Sequence, residues 1–213
     1  MTVAKISQDI IDAYAGLSSA IISDALDRIG VHGTLQGLRP QTGSVKMCGQ
    51  AFTAKYSVAP DSLSRFADFL DDVPKGAVVA IDNGGRLDAS VWGDTLSLFA
   101  TINGFAGTVI DGVCRDIDGT RALNYPMFSR ALYMRTGKGR IGVESTQKPI
   151  RIAEVDVYPG DLIFGDETGV VVVPLARVDE VLKIAQAISK RDDAWEQAIR
   201  RGLPMAEVWK AAD

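Results

Sequence analysis

Apolar residues recur at helical spacing near both ends of the chain. Close to the start, two stretches show this spacing, at residues 10–14 and 21–29, and Ser18 or Ser19 stands between them in position to cap the second. Near the end, residues 175–201 carry the same period and predict one long amphipathic helix. The latter half of that helix is rich in charge, and we expect it to project from the core.

The middle of the chain shows strand patterns. Residues 51–58 alternate between apolar and polar positions, which places Phe52 and Tyr56 on one face and Lys55 on the other. Residues 76–82 form an unbroken apolar run, typical of a strand covered on both faces. Shorter elements are predicted as helices at 62–72 and 118–123 and as strands at 127–128, 131–134, 150–152, 161–164 and 170–173.

A strand, a helix and a second strand follow one another between residues 76 and 111. Leu96, Phe99 and Ile102 give helical apolar spacing, and Asn103-Gly104 supplies a stop signal. Residues 107–111 are short, β-branched and bounded by glycines, as expected of a strand. The pattern predicts a βαβ unit inside one mixed α/β domain that spans residues 1–213. With 213 residues, 46% of them apolar, the chain can bury a full core.

Charge and composition exclude several classes of function. The net charge is −4 with basic residues spread along the chain, which disfavours nucleic-acid binding. No apolar run approaches the roughly 18 residues that span a bilayer, and the first residues lack the apolar core of a signal peptide. We therefore expect a soluble, cytoplasmic protein with no membrane partner. Cys48 and Cys114 lie far apart without metal-ligand spacing, so both are expected to be buried thiols.

The chain has a single histidine, His32, in a glycine-flanked segment that predicts an exposed loop. One histidine excludes a three-histidine metal site. If the protein is an enzyme, its proton transfers must rest on carboxylates, lysine, tyrosine or metal-bound water.

Three charged residues are predicted to meet at one edge of the sheet. Asp94 opens the helix of the βαβ unit, and Arg115-Asp116 follows the next strand, so both fall beyond the carboxyl ends of parallel strands. Each aspartate taken alone is explained as a helix cap. Together they offer two carboxylates for a hard divalent cation, with a guanidinium and the helix N-terminus at Gly93 to receive a substrate carboxylate.

The same residues carry a resemblance to a known family. Gly93-Asp94, about twenty residues, then Arg115-Asp116 resembles the signature of 4-hydroxy-4-methyl-2-oxoglutarate aldolases and of the related regulators of ribonuclease E activity. The resemblance covers most of the chain, from residues 19–26 to residues 169–174. One position departs from it, because the aldolases often carry an acid where this chain has Gly119. The resemblance implies a swivelling β/β/α fold and a homotrimer or a pair of trimers with sites between subunits.

The resemblance also implies a role for each residue. Asp116 matches a direct ligand of Mg²⁺ or Mn²⁺, and Arg115 matches the residue that binds the substrate and stabilises the enolate oxygen. The substrate carboxylate is expected to bind backbone N–H groups of the segment Gly93, Asp94, Thr95 and Leu96. Asp94 is also expected to contact metal-bound water.

A further acid is implied from a neighbouring subunit's C-terminal helix, and Asp192, Asp193 and Glu196 remain alternatives for it. The predicted function is that of a class II, metal-dependent lyase. It cleaves a 4-hydroxy-2-oxo acid to pyruvate through an enolate and decarboxylates oxaloacetate as a side activity. Aldol cleavage also needs a base, for which a metal-bound water relayed through Asp94 is the economical candidate.

Three alternatives to this hypothesis arise from the sequence. Lys55 is a candidate Schiff-base lysine of a metal-free aldolase, although lysine on that face of a strand usually meets solvent. Gly137-Lys138-Gly139-Arg140-Ile141-Gly142 fits GxGxxG, but no apolar helix follows it, which predicts a loop. The third alternative is a non-catalytic protein that binds and inhibits a ribonuclease, as the regulator branch of the family is thought to do.

Overall fold

A computed structural model describes residues 4–58 and 66–211. Ten strands are present in this part of the chain: β1 Arg39–Pro40, β2 Met47–Val58, β3 Val78–Asp82, β4 Gly107–Cys114, β5 Met127–Leu132, β6 Ile141–Thr146, β7 Ile150–Ile152, β8 Val155–Val157, β9 Leu162–Gly165 and β10 Val170–Val173. Its helices are α1 Gln8–Ala15, α2 Ser19–Arg28, α3 Asp94–Ile102, α4 Ile117–Ala122, α5 Val178–Arg200 and α6 Met205–Val208, and 3₁₀ turns occupy Asp68–Asp72 and Leu175–Arg177.

One mixed sheet organises the molecule. Its strand order is β1-β5-β4-β3-β2-β9-β10, and β6 also pairs with β2. The four strands from β2 to β5 are mutually parallel, with Asp82 of β3 beside Asp111 of β4. The long strand β2 pairs with β9 along its first half and with β6 along its second. The predicted mixed α/β fold with a long C-terminal helix is confirmed.

The parallel strands are buried on both faces because helices and short strands cover them. One face, with Phe52 and Ile81, packs against residues of α3 and the aromatic pair Trp92 and Tyr125. The other face, with Val78 and others, packs against the β7–β8 hairpin and β9. A third cluster joins α1, α2 and α5 to β9 and β10. Burial on both faces explains why β3 is a continuous apolar run, as predicted.

Helix α2 begins as predicted, since Ser18 caps it through a hydrogen bond from the Ile21 N–H at 3.3 Å. The predicted helix at 62–72 is only partly visible, because residues 62–65 lie outside the described residues. The predicted strands at 127–128 and 131–134 form one strand, β5, which ends at Leu132, so residues 133–134 lie outside it. Its polar middle is paired: buried Ser129 donates to the Ala131 carbonyl, and Arg130 forms an ion pair with Asp111. The sequence pattern does not predict strands β1, β6 and β8 or helix α6.

The hairpin between β7 and β8 turns on Ala153 and Glu154, with φ angles of 45° and 70°. Left-handed backbone at both turn positions matches the twist of a hairpin but favours asparagine and glycine. The Ala153 N–H donates to Asp111 Oδ2 at 3.0 Å, so the buried Asp111 carboxylate holds this turn against the sheet.

Both cysteines are free thiols, as predicted. Cys114 is buried, whereas Cys48 is only half-buried. Burial raises the pKa of the Cys48 thiol to about 12. Within residues 4–58 and 66–211, no helix combines the length and the apolar character that a membrane crossing requires.

Candidate active site

Three backbone segments meet beyond the carboxyl end of β4. The segment before α3 runs beside that end, with the Val91 N–H donating to the Val113 carbonyl at 3.3 Å and the Arg115 N–H donating to the Trp92 carbonyl at 2.9 Å. On its other side, the Ser90 N–H donates to the Arg135 carbonyl, and Ser90 in turn accepts from the Gly137 N–H at 2.8 Å. These pairs bring together segments that are distant in sequence.

A buried polar network locks α3 to α4 beneath the site. The Trp92 indole N–H donates to Ser97 Oγ at 3.0 Å, and Ser97 Oγ donates to the Gly93 carbonyl at 2.9 Å. Ser97 Oγ also lies 3.0 Å from Thr120 Oγ1 of α4. The Trp92 ring stacks on Tyr125 with centroids 6.3 Å apart. Because these groups are buried and mutually hydrogen-bonded, the two helix N-termini keep a fixed relation.

Asp94 is exposed in the first turn of α3 and does not serve as its N-cap. Gly93 occupies the N-cap position, and its carbonyl receives the first intrahelical N–H, from Ser97 at 3.0 Å. Asp94 Oδ1 accepts its neighbour's backbone N–H, from Thr95 at 2.6 Å. The first-turn N–H groups of a helix have no partner within the helix, so this end of α3 favours an anion.

Asp116 occupies the N-cap position of α4 with φ 51° and ψ 43°, in the left-handed region. Ordinary N-caps have extended backbone and accept a hydrogen bond from the first turn, and Asp116 does neither. Its Oδ2 instead lies 3.2 Å from Arg115 Nε, and both side chains are partly exposed. Capping therefore does not explain this carboxylate. A non-glycine residue held left-handed is one form of local strain that occurs at functional sites.

Two glycines allow the carboxylates to approach the opposite helix. A Cβ atom placed on Gly93 would lie 2.9 Å from Asp116 Oδ2. A Cβ atom placed on Gly119 of α4 would lie 2.7 Å from Asp94 Cβ and 3.1 Å from Asp94 Oδ2. The position at which this chain departs from the family signature is thus the position against which Asp94 packs.

A cavity of about 230 Å³ opens at this place. All six residues predicted for the site line it: Gly93, Asp94, Thr95, Leu96, Arg115 and Asp116. Sequence reasoning missed the rest of its wall, which consists of Phe66, Ala67, Asp68, Ser90, Trp92, Thr136 and Lys138. Lys138 belongs to the GxGxxG stretch, which forms the predicted loop and runs into β6. The glycines on either side of Lys138 are the sequence signal that marks this residue.

The donor set at the cavity suits a hard divalent cation. Within the described part of the chain, no three His, Cys, Asp or Glu side chains lie close enough together to hold a metal ion by themselves. Asp94 and Asp116 both line the cavity and supply two carboxylates. Mg²⁺ commonly binds through one or two carboxylates and keeps several waters, whereas zinc and calcium usually need more protein ligands. The residues present therefore fit Mg²⁺ or Mn²⁺.

Two other candidates lie away from this cavity. Lys55 forms an ion pair with Glu144 at 3.0 Å, and that hydrogen bond raises the pKa of the Lys55 ammonium. A raised pKa opposes the neutral amine that a Schiff base requires. His32 is exposed in the loop after α2, as predicted, beside a separate cavity near the β7–β8 turn.

An apolar surface adjoins the charged residues. Leu132, Tyr133 and Met134 are exposed, and they line a second depression together with Arg115 and Asp116. Contiguous exposed apolar residues next to a polar site are typical of an interaction surface.

Comparison with known proteins identifies the family. The RraA-like model, described as Aldolase/RraA, matches residues 19–172, which is more than half of the chain. The chain belongs to the RraA-like family. Among RraA-like relatives, Protein DlpA of Legionella pneumophila is 38% identical over 203 residues, which cover 94% of this chain and 33% of DlpA. The chain thus spans about a third of the length of DlpA.

A relative of matching length comes from Halalkalibacterium halodurans and is named "Putative 4-hydroxy-4-methyl-2-oxoglutarate aldolase". It is 33% identical over 191 residues, covering 90% of this chain and 89% of the relative. Among solved structures, an uncharacterized protein from Pseudomonas syringae superposes with a TM-score of 0.91 at 38% identity, over 96% of this chain and 98% of that one. Streptomyces coelicolor RraAS2, from the RNase ES inhibitor RraA family, has the same fold at 23% identity, with a TM-score of 0.82 and coverage of 93% and 99%.

Proposed function

We propose that this protein is a divalent-metal-dependent lyase that cleaves 4-hydroxy-4-methyl-2-oxoglutarate, or a close 4-hydroxy-2-oxo acid, to pyruvate and also decarboxylates oxaloacetate. The observation that carries the proposal is the convergence of Asp94, Arg115 and Asp116 on one cavity, with neither carboxylate serving as an ordinary helix cap. The name of the Halalkalibacterium halodurans relative supports the same class of substrate.

Arg115 and the start of α3 bind and orient the 2-oxo acid. The substrate carboxylate lies against the first-turn N–H groups of the segment from Gly93 to Leu96, where the helix dipole favours negative charge. The Arg115 guanidinium donates to the C2 oxygen, which carries more negative charge as the reaction proceeds. Donors aimed at developing charge contribute more in the transition state than in the ground state, so this contact raises the rate.

The bond changes are the same at C3 in both reactions. In aldol cleavage the C4 hydroxyl loses its proton, the C3–C4 bond breaks, and its electron pair moves into the pyruvate enolate, which is then protonated at C3. In decarboxylation the bond to the departing carboxylate breaks instead, and no base is needed. Asp94 receives the hydroxyl proton through a water at Oδ2, since its Oδ1 already accepts from Thr95.

Asp116 would hold Mg²⁺ or Mn²⁺ directly and Asp94 would hold it through bound water, and the cation would supply positive charge that stabilises the enolate. A second copy of the chain covers the apolar surface of Leu132, Tyr133 and Met134, and a homotrimer or a pair of trimers brings an acid of α5 to the site. Of the three candidate acids, Asp192 pairs with Arg191 and Glu196 pairs with Arg200, while Asp193 forms no ion pair with any described residue.

Pyruvate release coupled to lactate dehydrogenase tests the proposal. The purified protein should release pyruvate from 4-hydroxy-4-methyl-2-oxoglutarate and from oxaloacetate, lose this activity in EDTA and regain it with Mg²⁺ or Mn²⁺. Asp116→Asn should abolish turnover at any metal concentration, because asparagine keeps the left-handed backbone but not the charge. Asp118→Asn is the matched control, since the Asp118 side chain is 99% exposed on the same helix.

Two results would contradict the proposal. Full activity in EDTA, combined with borohydride inactivation in the presence of substrate, would indicate a Schiff-base lysine such as Lys55. No turnover of any 2-oxo acid, together with micromolar binding to a ribonuclease that Asp116→Asn leaves intact, would indicate a contact inhibitor.

A further inference from the structure

Lys138 stands on a rigid turn at the edge of the candidate cavity. Thr136 pairs with Ser90 in a parallel bridge, and a Cβ atom on Gly137 would lie 2.7 Å from the Ser90 carbonyl oxygen. The turn closes where the N–H groups of Arg140 and Ile141 both donate to the Gly137 carbonyl at 2.9 Å. The backbone that carries Lys138 is therefore fixed against the same segment that leads into Gly93.

The backbone N–H of Lys138 is used within the turn, so the side chain is the part of this residue that can bind a ligand. The Lys138 N–H is satisfied by Thr136 Oγ1 at 3.2 Å. The Lys138 ammonium, in contrast, forms no ion pair with any residue in the described ranges. A positive charge in a cavity wall favours a ligand that brings its own negative charge.

Among the described cations of the cavity wall, Lys138 remains for a second substrate carboxylate. Asp68, Asp94 and Asp116 contribute three carboxylates, and the described cations are Arg115 and Lys138. Arg115 already lies 3.2 Å from Asp116 and is assigned above to the reacting end of the substrate. A dicarboxylic 2-oxo acid has a second carboxylate at its far end, which needs a cation of its own to compensate for lost hydration.

We propose that Lys138 is a specificity-determining residue that binds the distal carboxylate of a dicarboxylic 2-oxo acid. This inference rests on the proposed function. It adds the residue that selects substrates with two carboxylates, which the proposed function leaves open. Lys138 then contributes to binding in the ground state and the transition state alike. Its loss should therefore raise KM more than it lowers kcat.

A binding experiment tests this assignment without turnover. The two probes are 2-oxoglutarate and 2-oxopentanoate, which share the 2-oxo acid end and differ in the second carboxylate; neither has a 4-hydroxyl group to cleave. Isothermal titration with Mg²⁺ present should show that the protein prefers 2-oxoglutarate by about 10- to 100-fold, the range of a charge-assisted hydrogen bond. Lys138→Ala should reduce the preference to about one, while Lys138→Arg retains most of it. Raising the salt concentration should weaken the preference in the unmodified protein.

Lys183→Ala, on the exposed face of α5, is the matched control and should change neither affinity. In turnover assays, Lys138→Ala should raise KM for 4-hydroxy-4-methyl-2-oxoglutarate by the same factor with kcat nearly unchanged. A preference that survives Lys138→Ala, an equal loss of affinity for both probes, or no preference in the unmodified protein would overturn the assignment. Absence of pyruvate release with the preference present would overturn the proposed function alone.

Discussion

Replacing Gly119 with alanine tests whether the position of Asp94 controls the reaction. The added Cβ atom would stand 2.7 Å from Asp94 Cβ, whereas non-bonded carbon atoms prefer about 3.5–4.0 Å. A Cβ atom moves only with its backbone, so the start of α3, and with it the Asp94 carboxylate, must shift by about 1 Å. Displacement of that size at a reacting group costs on the order of 10²-fold in rate. We expect kcat for pyruvate release to fall by about that factor.

The stability of the same variant should fall only modestly. Alanine improves the helix interior of α4 by roughly 0.5–1 kcal/mol over glycine. Overpacking costs about 1–3 kcal/mol, and rotation of the exposed Asp94 carboxylate does not relieve it, because the clash lies at Asp94 Cβ. The free energy of unfolding in urea should therefore fall by no more than about 2.5 kcal/mol, which separates a local displacement from misfolding.

A double-mutant cycle shows whether Gly119→Ala slows turnover through Asp94. If Gly119 acts only through Asp94, then Gly119→Ala combined with Asp94→Ala should be no slower than Asp94→Ala alone. Gly169→Ala is the control, because nothing lies within 4 Å of a Cβ atom there. Turnover close to normal in Gly119→Ala, or additive losses in the double variant, would refute the reasoning that Gly119 serves to place Asp94.

Four further results are expected. Arg115→Lys keeps the charge but loses the planar fork, so turnover of both substrates should fall about 10²–10³-fold, and near-normal rates would make Arg115 a structural partner of Asp116. Burial alone would raise the pKa of Asp166, but hydrogen bonds from Ser19 and neighbouring N–H groups lower it. The ionised carboxylate should therefore stabilise the fold above pH about 4, and this stabilisation should be lost as the pH falls through the folded pKa. Asp166→Asn should destabilise the protein by about 1–3 kcal/mol at pH 7 and by less in acid. Glu154→Gly should relieve the left-handed turn and raise Tm by about 2–4 °C, since the exposed ion pair it loses contributes little. Asp193→Ala should impair turnover without changing stability if this acid completes a neighbouring site, and an unaffected rate would exclude it.

The β3–α3–β4 part of the fold was predictable because β3 is a continuous apolar run and is followed by a helix with clear limits. That order also places Asp94 and Arg115-Asp116 on one edge, so local spacing was sufficient to bring them together. Lys138 could not be assigned in this way. It reaches the cavity through pairing between Ser90 and Thr136, residues 46 positions apart, and no local pattern encodes that contact. The sharing of β2 between β9 and β6 was hidden for the same reason.

The left-handed backbone of Asp116 restricts what position 116 can become. Aspartate, asparagine and glycine occupy this conformation most readily, and of the three only aspartate carries a charge. Glutamate would keep the charge but strain the backbone. In a library of all twenty residues, we therefore expect folded protein to be retained mainly with aspartate, asparagine or glycine and turnover with aspartate alone. A homologue that loses the lyase activity but keeps the fold should therefore carry asparagine or glycine in place of Asp116.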